Sequence, residues 1–397
     1  MFETIAPAPP DAILGLTEAF RQDPRPNKIN LGAGVFKDEH GVTPILASVQ
    51  AAEAAVLAAA KTKAYLPIAG EPGYRRLVQE MILGAGHPAL LANRVRTAQT
   101  PGGTAALRVG ADLLKKLRPQ AAVWLSRPTW ANHRGVFSSA GFTVREYPYY
   151  NPADHSLDFD GLQTALRAVP SDDIVVLHAC CHNPTGVDLS AEQWAEVAAL
   201  AARRAWLPFV DCAYQGYGDG LEADRLGLLA LAQACPEMLI ASSFSKNFGL
   251  YQDRAGALTL VASGTADADA VFSNVEIVIR VNYSNPPAHG GLLVAHILAD
   301  PALCRQWHGE LDSMRARIAD ARQRLAAALR AHHVPGDFAF IARQKGLFSL
   351  SGLGAAQVRF LREQKGIYIV ADGRINVAGI TSANLAYLCQ SIAEALI

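Results

Sequence analysis

A lysine surrounded by small hydroxyl residues is the most reactive-looking feature of the sequence. Lys246 follows an apolar run that ends at Ser243, and Arg254 comes eight positions later. Serine hydroxyls and an arginine fork bind phosphate well. A lysine amine held beside a phosphate can form a Schiff base with the aldehyde of a cofactor. Taken alone, a lysine at the end of a strand is more often a solvated surface residue, so this interpretation needs support from other motifs.

Three further motifs follow predicted strands or turns and could complete such a site. Thr100–Ala106 is a Gly-rich turn that enters a helix, where backbone N–H groups could bind phosphate, although a plain turn fits equally well. Asp211 closes an apolar run and could pair with a protonated ring nitrogen, or could cap a helix. Asn183 lies in the segment His182–Gly186 and could donate to a ring oxygen, or could belong to a structural turn.

The elements that must position these residues alternate along the chain. Short runs rich in Val, Ile and Leu predict strands that are buried on both faces, at 121–126, 173–179, 207–212, 238–243 and 255–261. Helical patterns lie between several of them, at 104–117, 190–205 and 223–234. Ser190 followed by Gln193 resembles a capping box. This alternation predicts an α/β fold with a mainly parallel sheet.

The last third of the chain has a different pattern. Residues 301–332 read as one long Arg-rich helix, followed by short strand candidates at 338–341, 346–351 and 367–371 and a closing helix from Ser382. This predicts a smaller α+β unit. The first 45 residues are rich in Pro and Gly and look too irregular to fold alone, so we expect them to pack against it.

The bulk composition excludes several classes of protein. The 397 residues are 50% hydrophobic, and 36 Lys and Arg balance 36 Asp and Glu. A neutral chain lacks the basic excess that nucleic-acid binding needs, and neither a signal peptide nor an apolar run of transmembrane length is visible. The six cysteines have no CxxC spacing, so we expect reduced thiols in a cytoplasmic protein and no metal site. The length predicts two domains.

The motifs together resemble a known family. The Lys246 segment, the HNPTG turn and DCAYQG (211–216) are similar to the class I aminotransferases of fold type I, most of all to their aspartate and aromatic subgroup. Further matching segments span the chain in order: 29–39, 65–77, 100–114, 128–133, 279–290 and 373–379. The resemblance implies a pyridoxal 5'-phosphate enzyme, a large domain at 46–315, and a small α+β domain made of 1–45 and 316–397.

The resemblance also implies roles for individual residues. Lys246 is the Schiff-base lysine and the proton-transferring base, and Asp211 and Tyr214 complete the catalytic set. The implied cofactor-binding residues are Gly103, Thr104, Trp130, Asn183, Asp211, Tyr214, Ser243, Lys246, Arg254 and, from a neighbouring subunit, Tyr65. The implied substrate-binding residues are Gly34, Trp130, Asn183, Arg374 and, from the neighbour, Arg280. His133 and His178 are candidates for a place behind Asp211, with an ordinary core role equally open.

The expected reaction is ping-pong transfer of the amino group of aspartate to 2-oxoglutarate by a homodimer, extending to phenylalanine and tyrosine. An aromatic-specialised aminotransferase is the alternative, because Ala64, Leu66 and Pro67 resemble aromatic-preferring members. By contrast, other positions resemble aspartate-preferring ones: Val35, Lys37, Thr43, Thr104 and Asn285.

More distant rivals are disfavoured. Two arginine forks that hold both carboxylates argue against a decarboxylase. A silent binding protein would be expected to lose Lys246 or Asp211, and a nicotinamide dehydrogenase would need a GxGxxG that the sequence lacks. Two departures from the family pattern stand out: Phe36 replaces a common Tyr, and Asp253 replaces the Glu usual before Arg254.

Overall fold

The computed structural model describes residues 2–8 and 13–397. Contacts divide the chain into two compact units. Unit 1 comprises 1–43, 184–186 and 317–397, and unit 2 comprises 44–183 and 187–316. The domain boundaries given above stay a prediction.

Unit 2 is built on a seven-stranded sheet, counted over the described residues. Its strands are β2 (Val95–Pro101), β3 (Ala122–Arg127), β4 (Thr143–Pro148), β7 (Ile174–His178), β8 (Leu207–Cys212), β9 (Met238–Ser243) and β10 (Ala255–Val261). They lie in the order β2-β10-β9-β8-β7-β3-β4. The neighbours from β9 to β4 are parallel, whereas β10 runs antiparallel to both β2 and β9. A hairpin of β5 (Tyr150–Asn151) and β6 (Ser156–Leu157) accompanies the sheet. The predicted α/β fold is confirmed.

Helices alternate with these strands. They are α2 (Ala47–Ala59), α3 (Pro72–Leu83), α4 (Pro88–Leu91), α5 (Gly102–Leu117), α6 (Ala131–Ser139), α7 (Phe159–Ala168), α8 (Ala191–Arg204), α9 (Leu226–Ala234), α10 (Thr265–Asn282) and α11 (Ala288–Ala299). A short 3-10 turn, Ala223–Arg225, precedes α9. The capping box predicted at Ser190 is present, since the Ser190 side chain accepts from the Gln193 backbone and the Gln193 side chain accepts from the Ser190 backbone. The core of the unit is apolar, and every residue of β7, β8, β9 and β10 is buried.

Unit 1 joins residues 1–43 to residues 317–397. Strand β1 (Ile29–Asn30) pairs with β12 (Ile367–Tyr368), and β11 (Phe348–Leu350) pairs with β13 (Arg374–Asn376). The helices are α1 (Leu14–Gln22), α12 (Pro301–Ala331, which begins in the residues of unit 2), α13 (Phe340–Arg343), α14 (Ala355–Lys365) and α15 (Leu385–Ala395). Short 3-10 turns lie at Phe2–Thr4 and Val377–Gly379.

One strand expectation is wrong. Residues 338–341 lead into the helical turn α13 rather than forming a strand. The Asp337 carboxylate accepts from the Ala339 backbone N–H at 2.8 Å, which favours a helical turn at this point. Phe340 and Ile341 are buried in the turn, so the apolar residues that suggested a buried strand are buried in a helical turn instead.

Candidate active site

The predicted chemistry of unit 2 gathers at one edge of its sheet. Strands β7, β8 and β9 are parallel, and His178, Asp211 and Ala241 lie in register at their carboxyl ends. In such sheets ligands collect at this edge. The cavity there has a volume of about 110 Å³. Nine predicted site residues line it: Gly103, Thr104, Trp130, Asn183, Asp211, Tyr214, Ser243, Lys246 and Arg254.

The lysine is fixed through its backbone. The Tyr217 hydroxyl donates to the Lys246 carbonyl at 3.0 Å, and the Trp307 indole donates to the Asn247 carbonyl at 2.7 Å. The half-buried Lys246 side chain places its Nζ 4.9 Å from the centroid of the Tyr214 ring. These contacts hold a primary amine inside the cavity, where it can react with a carbonyl carbon.

Asp211 is a buried carboxylate that stays ionised. Burial raises its pKa, but the hydrogen bond from His133 (Nε2 to Oδ2, 3.0 Å) and the nearby positive charge of Lys246 more than offset that effect, so its pKa is lowered. The side chain therefore presents a negative charge to the cavity. Such a charge pairs with a protonated pyridine nitrogen.

A hydrogen-bonded chain of buried rings stands behind Asp211. Thr129 Oγ1 lies 2.8 Å from His133 Nδ1 and 3.1 Å from His178 Nε2. Burial, reinforced by His133, lowers the pKa of His178 to about 3, so this ring is neutral at pH 7. The ring of His182 follows at 4.3 Å from His178, and burial also holds its pKa well below the usual range. His133 thus contacts Asp211 directly, whereas His178 reaches it through Thr129 and His133.

The start of α5 forms an anion cradle with the end of β9. Among the described residues no side chain caps α5, so its first N–H groups face the cavity edge with the positive end of the helix dipole. The two glycines have different reasons. Gly102 has a left-handed φ of 79°, which residues with a side chain rarely adopt, whereas a Cβ at Gly103 would lie 2.9 Å from Ser243 Cβ. Arg254 itself adopts a left-handed φ of 55° and donates to Ser245 Oγ at 3.3 Å.

This arrangement fits pyridoxal phosphate. The helix terminus, Ser243 and Arg254 suit its phosphate, Asp211 suits its ring nitrogen, and Lys246 suits its aldehyde. Asn183 and Tyr214 form a hydrogen-bonded pair, with Asn183 Nδ2 3.4 Å from the Tyr214 hydroxyl, and can both face a ring oxygen. Trp130 lies at the start of α6 with a partly exposed indole that can cover a ring face.

The other predicted site residues lie elsewhere. Tyr65 is 91% exposed and Arg280 is exposed on α10. Gly34 and Arg374 belong to unit 1. There the buried Arg374 guanidinium donates to the Gly32 carbonyl at 3.0 Å and stacks over the Phe348 ring, 4.2 Å from its centroid.

Two contributors escaped the sequence analysis. Ser245 lines the cavity and bonds Arg254, and Thr129 connects two histidines. Both lie inside motifs already singled out, next to Lys246 and Trp130. The hydroxyl groups of Ser245 and Thr129 were the feature of the sequence that could have identified them.

The comparisons with known proteins agree with this chemistry. The sequence profile of the family described as aminotransferase class I and II matches residues 26–392. The chain is 51% identical over 396 residues to an aspartate aminotransferase of Escherichia coli, covering 100% of both chains. It is 44% identical to an aromatic-amino-acid aminotransferase of Pseudomonas aeruginosa, covering 99% of this chain and 98% of the relative.

The fold is similar to solved structures over its full length. A crystal structure of an aromatic-amino-acid aminotransferase from Burkholderia pseudomallei, covalently bound to pyridoxal phosphate, has a TM-score of 0.97 at 47% identity and full coverage of both chains. An aspartate aminotransferase from the cytoplasm of Saccharomyces cerevisiae has a TM-score of 0.97 at 35% identity, covering 100% of this chain and 98% of that one.

Proposed function

Because the chain belongs to the class I and II aminotransferases, we propose that it transfers the amino group of aspartate, and of aromatic amino acids, to 2-oxoglutarate. The observation that carries this proposal is the cavity in which Lys246, ionised Asp211 and the α5 anion cradle converge. That donor set fits pyridoxal phosphate, and the reaction is aminotransfer.

When bound, the cofactor supplies an aldehyde that takes up the amino group and a ring that withdraws electrons from the substrate Cα. Lys246 would act as the base, since its Nζ can take up the proton that leaves the substrate Cα and can release it again within the same cavity. Its half-buried position beside the Tyr214 ring keeps the amine within the cavity during both steps.

The remaining residues of the cavity bind the cofactor and orient it. Asp211, hydrogen-bonded to His133, keeps the ring nitrogen protonated, since a carboxylate stabilises positive charge there. Tyr214 and Asn183 bind the ring oxygen, and Trp130 stacks on the ring. Gly103, Thr104, Ser243 and Arg254 bind the phosphate through N–H, hydroxyl and guanidinium donors.

Substrate recognition relies on two arginines. Arg374 binds the α-carboxylate through its planar fork, with Gly34 beside the substrate, and Arg280 of a second copy binds the side-chain carboxylate of aspartate. The first product, a 2-oxo acid, leaves before the second substrate, the acceptor 2-oxo acid, binds. This order gives ping-pong kinetics.

A homodimer accounts for the exposed residues. Tyr65 is 91% exposed, although its proposed task is to bind the phosphate in the neighbouring subunit's site. Leu57 and Val281, at 76% and 81% exposed, add apolar surface on α2 and α10 that a second copy would cover.

The proposed location is the cytoplasm. All six cysteines are free thiols, which suits a reducing compartment. No described helix combines the length and apolar character needed to span a bilayer.

A half-reaction tests the substrate assignment. The protein loaded with pyridoxal phosphate is mixed with aspartate or with phenylalanine, and the absorbance of the bound cofactor is followed. Loss of that absorbance with aspartate, together with oxaloacetate formation, supports the proposal, and comparable loss with phenylalanine makes the enzyme dual-specific. Loss with phenylalanine alone favours the second candidate, an aromatic-specialised enzyme, which several relatives named for aromatic substrates support. No response to either amino acid contradicts both.

A further inference from the structure

Arg322 on α12 is a fully buried arginine that clamps one short segment of unit 1. Its side chain is 2% exposed. Its two terminal nitrogens make five hydrogen bonds to the segment 341–349. Nη1 donates to Ile341 O (3.1 Å) and Ser349 Oγ (2.6 Å), and Nη2 donates to Lys345 O (3.1 Å), Gly346 O (2.6 Å) and Phe348 O (2.7 Å).

The segment needs this clamp because its carbonyl groups converge. Gly346 has a φ of 72°, which turns the chain back on itself between α13 and β11. The carbonyls of 345, 346 and 348 therefore point at one place, where their oxygens repel one another unless a donor lies between them. A planar guanidinium that cannot be deprotonated fills that place, and a lysine ammonium cannot reproduce the fork.

The clamped segment ends at the ring on which Arg374 rests. Phe348 is 3% exposed, and Arg374 Cζ lies 4.2 Å from its centroid. The same ring packs against Gly34, where an added Cβ would lie 2.8 Å from Phe348 Cζ. Phe348 is also the register partner of Asn376, whose side-chain amide donates to the carbonyls of Ala33 and Val35. Moving Phe348 therefore displaces both proposed substrate-binding residues of unit 1.

We propose that Arg322 is a positioning residue for recognition of the α-carboxylate. It holds the Phe348 carbonyl, the Phe348 ring supports the Arg374 guanidinium, and Arg374 binds the substrate. Arg322 itself touches no substrate or cofactor. The inference rests on the function proposed above, in particular on the role of Arg374.

The test compares Arg322→Lys and Arg322→Met with Leu329→Ala in the holoenzyme. Leu329 is 1% exposed on the same helix, two turns further on, and belongs to the same core, so its truncation loosens unit 1 without removing a bond to 341–349. Two affinities are measured: that for maleate, a dicarboxylate without an amino group, by titration of the cofactor absorbance, and that for pyridoxal phosphate. Steady-state kcat and KM for aspartate complete the comparison.

We expect both Arg322 variants to raise the maleate Kd and the aspartate KM by roughly tenfold or more. A displaced Arg374 guanidinium binds the carboxylate less tightly, and it does so in the ground state and in the transition state alike. The methionine variant should be the more impaired, since lysine retains part of the donor set. kcat should change by less than about threefold, and the affinity for pyridoxal phosphate should be unchanged. Leu329→Ala should leave the maleate Kd unchanged. If Arg322→Met does not fold, Arg322→Lys together with Ser349→Ala, which removes one acceptor, carries the same test.

Three outcomes overturn the inference. The first is an equal rise in the maleate Kd for Leu329→Ala and Arg322→Lys, which would show that general loosening suffices. The second is an unchanged maleate Kd in both Arg322 variants while Arg374→Lys raises it, which leaves the proposed function standing. If Arg374→Lys also binds maleate normally, the carboxylate role of Arg374 fails and the inference fails with it.

Discussion

Replacing His178 by glutamine should remove a large part of the protein's sensitivity to mild acid. Glutamine can keep the hydrogen bond that His178 Nε2 makes with Thr129 Oγ1 but cannot take up a proton. Burial, followed by the charge of His133, lowers the pKa of His178 from 6.5 to about 3. Below pH 6.5 the unfolded chain therefore binds a proton at this position that the folded protein does not bind. Stability falls as the pH falls from about 6.5 towards 3.

The size of the effect follows from the two pKa values. At about 1.4 kcal/mol per pKa unit, the full loss amounts to about 5 kcal/mol, of which about 2 kcal/mol develops between pH 7 and pH 5. The assay is urea unfolding of the holoenzyme at both pH values, at fixed protein and cofactor concentrations. The wild-type free energy of unfolding should drop by about 2 kcal/mol more than that of His178→Gln over this interval.

His332→Gln is the matched control, because it makes the same exchange at a ring that is exposed in the folded protein. An NMR titration of the folded protein gives a second measurement, in which the His178 ring signals should not move between pH 8 and pH 5. The reasoning is refuted if His178→Gln and the wild-type protein lose equal stability between pH 7 and pH 5, or if the His178 signals titrate near pH 6.

Three further changes test the cavity itself. Lys246→Ala should lower the rate of the aspartate half-reaction by at least about 10²-fold, the lower end of what a positioned base contributes, and a rate within tenfold of wild type would exclude it as the base. Asp211→Asn removes a charge-assisted contact of about 1.5–3 kcal/mol and should raise the Kd of pyridoxal phosphate by about 10- to 100-fold in equilibrium dialysis; unchanged binding would contradict its pairing with the ring. Gly103→Ala places a Cβ 2.9 Å from Ser243 Cβ and should weaken cofactor binding about 5- to 150-fold, which corresponds to a cost of about 1–3 kcal/mol. Gly309→Ala on α12 is the control for Gly103→Ala, because its added Cβ would meet no atom of the described residues within 4 Å. It should leave cofactor binding unchanged and raise the free energy of unfolding by about 0.5–1 kcal/mol, and weakened cofactor binding would contradict the steric argument.

The strands were predictable where burial is complete on both faces. β8, β9 and β10 begin and end at the residues read from the sequence, because a continuous apolar run is the pattern of a strand covered by helices on both sides. β2 was missed because its residues Arg96, Thr97 and Gln99 look like a polar loop. In the structure Thr97 Oγ1 lies 2.8 Å from Thr259 Oγ1 of β10, so polar side chains pair across the sheet and remain buried. Such a pair involves residues 162 positions apart, and no local pattern reveals it.

The site was predictable to the extent that it lies at strand ends. The carboxyl ends of parallel strands meet at one edge, so Asp211 and Lys246 could be placed together from their strands alone. The resemblance supplied the roles. What neither could provide is the orientation of the hydroxyls of Thr129 and Ser245, since their partners come from separate segments of the chain and depend on tertiary packing.

The start of α5 has a consequence for the chemistry of cofactor retention. The groups that this chain supplies for the phosphate are proposed to be backbone amides, the hydroxyls of Thr104 and Ser243, and the guanidinium of Arg254, with no lysine or histidine among them. None of these donors loses a proton at any pH at which proteins are handled. The groups that this chain itself supplies should therefore bind equally well from neutral to mildly alkaline pH, and reagents that acylate amines should leave them intact. The anchor should weaken in mild acid, where the phosphate takes up a proton, and in strong alkali, where the phenol of Tyr65 from the neighbouring subunit loses one.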